Sequence, residues 1–287
     1  MSLSYGTRIL SVLSLLALTV GTYMLVIRPS QLRWGASDEE LARTMAGDEL
    51  VAEPTFFATR AITINATPEE IWPWVVQMGH GRAGFYGYDL IENLGSPRGI
   101  RSADRIIEEL QDLEVGDRVY MSAPIYLIVD SMDPPRSLVW ADPSDPPTSA
   151  LTWALYPVDE GRTRLVSRVR LRYHWTRPVI VIELFTDFAD HVAVQKILHG
   201  VKDRVEGRVE SMAIQTIEVA LWAVAVLQLF AALILIFIRD PWWKGWLVAA
   251  AAAGTLLVAL YLHGPLWIGV ILEAGVCAGL WWVYRTR

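Results

Sequence analysis

The densest run of chemically capable side chains in this sequence lies between His80 and Asn93. Those fourteen residues hold an imidazole (His80), a guanidinium (Arg82), two phenols (Tyr86, Tyr88) and two carboxylates (Asp89, Glu92). A guanidinium can grip a carboxylate or phosphate headgroup at two points. The phenols can donate hydrogen bonds to a carbonyl or enolate, and His80 or Asp89 can move a proton. The same groups also have a structural use, in which Arg82 pairs with Asp89 or Glu92 and pins the segment over a cavity mouth. The sequence identifies no third orienting residue, so a catalytic set stays unknown. His80, Arg82, Phe85, Tyr86, Tyr88 and Asp89 stand as ligand-binding candidates.

Other patterns carry competing readings. Gly79, Gly81 and Gly84 spell G-x-G-x-x-G, with Asp104 twenty residues beyond Gly84. A dinucleotide site needs a strand before that pattern and a helix after it. Here the pattern follows a helix, so its expected role is a helix exit at positions needing positive φ. Trp72, Trp74, Trp140, Trp153 and Trp175, with Phe85, form an aromatic set that can line a cavity or fill a core. Trp74, Met78, Trp140 and Trp153 join the ligand-binding candidates. Glu183, Asp187, Asp190 and His191 share a helical face, which suits a solvated face better than a metal site; no metal and no cofactor is expected. Glu273 lies in the middle of an apolar run, where a carboxylate is costly.

The elements that position these residues are legible in the pattern. Residues 55–64 alternate as a strand, with Phe57, Thr59, Ala61 and Thr63 on one face. Thr67, Pro68 and Glu70 then form a helix start with a capping box. The following helix aligns Ile71, Trp74, Val75 and Met78, and Pro73 predicts a kink after its first turn. Short strands are expected at 119–122, 125–130, 137–141, 150–157 and 163–173, joined by tight turns into an antiparallel meander. After Pro178 comes a long helix. Val194, Ile197, Leu198, Val201 and Val205 form its apolar face, and Gln195, Lys196, Lys202, Asp203 and Glu206 its polar one.

Four runs, 9–27, 219–238, 246–262 and 266–284, are each near the ~20 residues a spanning helix needs. They bring the hydrophobic content to 53% and mean hydropathy to +0.32. The expected organisation is an anchor at 1–27, a folded domain at 28–213 and a three-helix transmembrane region at 214–287. The first run exceeds a signal peptide's apolar stretch and is followed by Arg28-Pro29, so it reads as an uncleaved anchor. Arg8, Arg239, Lys244, Arg285 and Arg287 fall on one side of such a topology. That places the domain outside the cytoplasm in a cell membrane. A net charge of −6 gives no nucleic-acid footprint. The single cysteine, Cys277, excludes intrachain disulfides.

Strand, helix, antiparallel sheet and long C-terminal helix, in that order, make an α+β helix-grip arrangement. The stretch ATRAITINATPEEIWPWVVQMG resembles the opening of the START-like, Bet v 1-like superfamily (SRPBCC, polyketide cyclase/dehydrase type). Residues 79–89, Glu92-Asn93 and Ser102–Ile106 are similar to a membrane-anchored bacterial branch of it, as are Arg33-Trp34-Gly35-Ala36 and Gly47-Asp48-Glu49-Leu50. The resemblance covers about residues 28–209. It implies a cavity between sheet and long helix that holds a lipid or another hydrophobic small molecule. The superfamily also contains cyclases and other enzymes, so a cyclase-, dehydratase- or hydrolase-type activity is the rival expectation. A membrane scaffold without ligand is the third.

Overall fold

The computed structural model describes residues 5–92, 101–122, 124–173, 180–261 and 264–286, with backbone alone for 180–188. Asn93 and Trp175 lie outside the described residues, as do the side chains of Glu183 and Asp187. In chain order, α1 (Tyr5–Thr22) continues through a π-helical turn (Tyr23–Ile27) into α2 (Arg28–Gln31), and α3 (Asp38–Ala42) follows. Next come β1 (Phe56–Ile64), α4 (Pro68–Val76), the short α5 (Asp89–Glu92) and a 3-10 turn (Glu108–Leu110). The meander is β2 (Arg118–Tyr120), β3 (Tyr126–Asp133), β4 (Ser137–Ala141), β5 (Ser149–Asp159) and β6 (Arg162–Leu171). Four helices end the chain: α6 (Ile180–Val205), α7 (Met212–Ile238), α8 (Trp242–Tyr261) and α9 (Leu266–Arg285). The chain divides into two compact units, Ser30–Met212 and a second made of Met1–Pro29 with Ala213–Arg287.

In the first unit the strands form one antiparallel sheet in the order β1-β6-β5-β4-β3-β2. The meander is sequential, and β1 closes it by pairing with the last strand, Phe56 opposite Leu171 through Ile64 opposite Thr163. The start of α4 follows the capping signal, with the Glu70 carboxylate accepting the Thr67 N–H at 2.8 Å. The helix runs through Pro73 to Val76. α6 packs on β1 and α4. Between them lies an apolar core that includes Ile64, Ile71, Val75, Leu138, Leu165 and Leu198. This is the α+β helix-grip arrangement expected from the sequence.

One expectation needs correction. Gln195 and Lys196 do not lie on a solvated face of α6; both are buried. Lys196 reaches Glu210 at 2.7 Å and lies 4.9 Å from the Tyr88 ring centroid, so the chain folds back over that side of the helix. The outer face of the sheet is not solvated either. Residues 32–54 cover it, held by a ladder of arginines from β6. Arg164 makes a two-point contact with Glu40, 2.8 Å for each oxygen, and donates to Gly35 O at 2.7 Å. Although burial works to raise the Glu40 carboxyl, the hydrogen bonds from Arg164 and Ser37 hold it below the usual range. Arg168, 2% exposed, donates to Thr59 Oγ1, Arg43 O, Asp48 Oδ2 and Glu40 O at 2.7–3.0 Å. Arg170 donates to Val51 O at 2.8 Å. The same segment shields the free edge of β1, where Thr59 N–H donates to Leu32 O and Ala61 N–H to Trp34 O.

The second unit contains four helices long and apolar enough to cross a membrane, beginning at Tyr5, Met212, Trp242 and Leu266. Arg8 of α1 is buried and donates to the carbonyls of Ile236 (2.7 Å) and Phe237 (2.8 Å), and pairs with Asp240 at 2.7 Å. It thereby satisfies acceptors that the end of α7 leaves open. Trp246 Nε1 donates to Ser11 O at 2.9 Å, and Trp222 Nε1 to Ala259 O at 3.0 Å.

Candidate functional site

The glycine pattern is a helix exit. Gly79, Gly81 and Gly84 have φ of +140°, +78° and +76°, and Gly79 and Gly84 exchange two backbone hydrogen bonds at 3.1 Å. No strand precedes the pattern, which follows α4. The loop then turns through Tyr86, whose φ of +64° is unusual for a residue with a side chain. Helix α6 crosses this point so closely that a Cβ on Gly200 would stand 2.0 Å from Tyr86 O.

The candidate residues of this loop are largely engaged with their own surroundings. The Tyr86 hydroxyl donates to Trp74 O at 3.1 Å and accepts from Gln77 Nε2 at 2.8 Å, while Arg204 covers its ring at 4.4 Å. Burial pushes the Tyr86 phenol up. Arg82 donates to the carbonyls of Leu110 (3.0 Å) and Val76 (3.4 Å), and makes no ion pair with Asp89 or Glu92 among the described residues. Burial lowers its pKa, against the opposing charges of Asp117 and Asp112. Asp89 accepts the Ser102 N–H at 2.9 Å. Glu92 accepts the N–H groups of Phe85 (3.2 Å) and Gly87 (3.1 Å). Loss of water and the neighbouring Asp89 push the Glu92 carboxyl up to about 7, against those backbone bonds and Arg204. The backbone N–H of His80 donates to Tyr120 O at 2.7 Å, and its imidazole is half-buried.

Six of the candidates meet. Trp74, Met78, Phe85, Tyr86, Trp140 and Trp153 belong to one buried apolar cluster; Tyr88 does not. Trp140 and Trp153 stand edge to face, ring centroids 6.0 Å apart.

That cluster adjoins a polar row of which Trp153 alone was among the sequence-derived candidates. Arg60 on β1 lies opposite Ser167 on β6, and Ser167 lies opposite Trp153 on β5. Residues directly opposite in an antiparallel pair share a face. Arg60 Nη1 reaches Asp190 of α6 at 2.6 Å and Nε donates to Gln31 O at 2.9 Å, so the row faces the helix. All three side chains are 1% exposed. Yet among the described residues Arg60 Nη2, Ser167 Oγ and Trp153 Nε1 have no hydrogen-bond partner, nor do Trp140 Nε1 and the buried Gln195 Oε1. Buried polar groups are nearly always paired, and each orphan costs about 1–3 kcal/mol. The sequence signal was present: alternation puts Arg60 in line with Phe56, Ala58, Ile62 and Ile64, an arginine inside an apolar face. Among the described residues no three His, Cys, Asp or Glu side chains gather as a metal would require.

No family model matches the chain, and no curated protein matches it significantly. Solved structures with related topology include three bacterial proteins. One from Mesorhizobium loti is 16% identical over 53% of this chain and 97% of its own, at a TM-score of 0.32. A polyketide-cyclase-like protein from Corynebacterium glutamicum is 12% identical over 52% and 91%, at 0.34. One from Thermobifida fusca is 14% identical over 54% and 97%, at 0.33.

Proposed function

We propose that the first unit binds a lipid or similar apolar metabolite between the sheet and α6, with the ligand's polar end on the Arg60–Ser167–Trp153 row. The supporting observation is the set of orphaned groups inside an otherwise apolar wall. Arg60 Nη2 and the two indole N–H groups are donors, and Ser167 can donate. A complementary headgroup therefore carries acceptor oxygens, as a carboxylate or carbonyl does, on a hydrophobic body. The four apolar helices are long enough to hold the protein in a membrane, where such molecules partition. The distribution of arginines at the helix ends favours a domain outside the cytoplasm.

The test is mass spectrometry of what co-purifies with the full chain in mild detergent, compared with a Ser167→Ala/Trp153→Phe double variant. The wild type should carry one acceptor-headed amphiphile per chain. Losing two hydrogen bonds of about 1 kcal/mol each should weaken retention roughly tenfold or more. A wild type that stays empty after incubation with lipid extract overturns the proposal.

A further inference from the structure

The second unit contains its own orphaned polar pair, remote in sequence from everything used above. Glu273 of α9 is 6% exposed and Gln228 of α7 is 5% exposed. Gln228 Nε2 donates to the backbone carbonyl of Glu273 at 3.1 Å and lies 3.2 Å from Cys277 Sγ. That arrangement satisfies the donors of the amide and leaves its acceptor, Oε1, without a partner. Among the described residues neither carboxyl oxygen of Glu273 has a hydrogen-bond partner, although the Gln228 side chain faces it. Three buried acceptor oxygens at one α7–α9 contact are thus left outside hydrogen-bond geometry with any donor among the described residues.

Among the described residues no basic group is placed to supply one. In the four spans, the charged residues other than Glu273 stand near the ends. Arg285 is twelve residues along α9 from Glu273, about 18 Å away at 1.5 Å per residue. Glu218 is ten residues along α7 from Gln228, about 15 Å by the same rise. Arg8 is committed to the end of α7, and Lys244 lies 4.9 Å from the Trp282 ring centroid.

We infer that Glu273 and Gln228 form a proton-binding site inside the membrane unit. A single proton taken from water onto the Glu273 carboxyl creates an O–H that can donate to Gln228 Oε1. That one event neutralises the charge and gives Gln228 Oε1 a donor across the α7–α9 contact. The site needs no part of the first unit and stands or falls apart from the ligand proposal.

Infrared difference spectroscopy of the full chain in lipid nanodiscs, wild type against Glu273→Gln, tests it. At neutral pH the expected result is a protonated-carboxyl C=O band, absent from Glu273→Gln and shifted to a weaker hydrogen bond in Gln228→Leu. Glu273→Gln keeps the size and the acceptor, so it should preserve the helix pairing. An ionised carboxylate signal from Glu273 at neutral pH overturns the inference. So does a C=O band that sodium ions abolish at constant pH, because the site would then hold a metal cation.

Discussion

The two faces of the sheet handle buried polar groups in opposite ways. On the outer face, Arg164, Arg168 and Arg170 are matched to carboxylates and carbonyls of residues 32–54, and Arg168 alone meets four acceptors. On the helix-facing side, Arg60, Ser167 and Trp153 stand one strand apart with an unused polar atom on each. Arg168 and Arg60, at 2% and 1% exposed, are buried alike. Buried arginine therefore does not by itself distinguish structure from function. What distinguishes them is whether the chain supplies the partners.

That contrast can be broken first at Arg168. Replacing it with leucine leaves the backbone carbonyls of Glu40 and Arg43 without their guanidinium donor and takes one donor from Asp48, which keeps those of Met45 N–H and Arg170. Removing one member of a buried charge network costs about 3–5 kcal/mol. Hydrogen exchange should report early opening of residues 32–54, and the denaturant midpoint should fall. Unchanged protection there would mean the arginine ladder does not hold the outer layer.

The loop at Glu92 offers a smaller effect with a defined sign. Its carboxyl is raised from about 4.5 to about 7 by loss of water and by Asp89, against Arg204 and two backbone N–H groups. The folded protein therefore keeps a proton that the unfolded chain has already lost between those pH values. The contribution of Glu92 to stability should be greatest below about pH 4.5, decline as pH rises to 7 and be flat beyond. The difference is on the order of 3 kcal/mol. Denaturant midpoints of the wild type across that window, set against Glu92→Gln, check it; the variant should lose the slope.

The smallest effects sharpen the comparison most. Thr152 Oγ1 donates to Ala46 O at 2.8 Å on the outer face, and Thr152→Val should cost about 1 kcal/mol. Ser167→Ala on the helix-facing side removes a hydroxyl that has no partner, so the ligand-free protein should be unchanged or more stable by under ~1 kcal/mol. Equal losses from both substitutions would mean that Ser167 is a structural group.

Much of the helix-facing half was readable from sequence. Thr67 and Glu70 mark the start of α4, 137–141 is the strand expected, and the glycine pattern turns where positive φ was anticipated. These are local signals. The outer layer was not readable, because alternation reports that a strand has two faces and not what covers the second. Arg168 and Asp48 are 120 positions apart, and nothing local pairs them. A hint lay in Gly35 and Gly47, where a Cβ would come within 2.1 Å of Ala61 O and 2.6 Å of Val139. The placement of Gln195 and Lys196 was misread for the same reason: a polar side chain suggests solvent until a distant segment is known to cover it.

Arg8 carries a consequence for biosynthesis. Its backbone acceptors at the end of α7 lie 228 and 229 positions downstream. A ribosome making this chain delivers the first apolar helix to the membrane long before those carbonyls exist. Until α7 emerges, the arginine must sit at the lipid–water boundary or be sheltered by the insertion machinery. The first helix can thus reach its final seat only after the whole first unit has been synthesised, so assembly of the membrane part waits on the synthesis of α7.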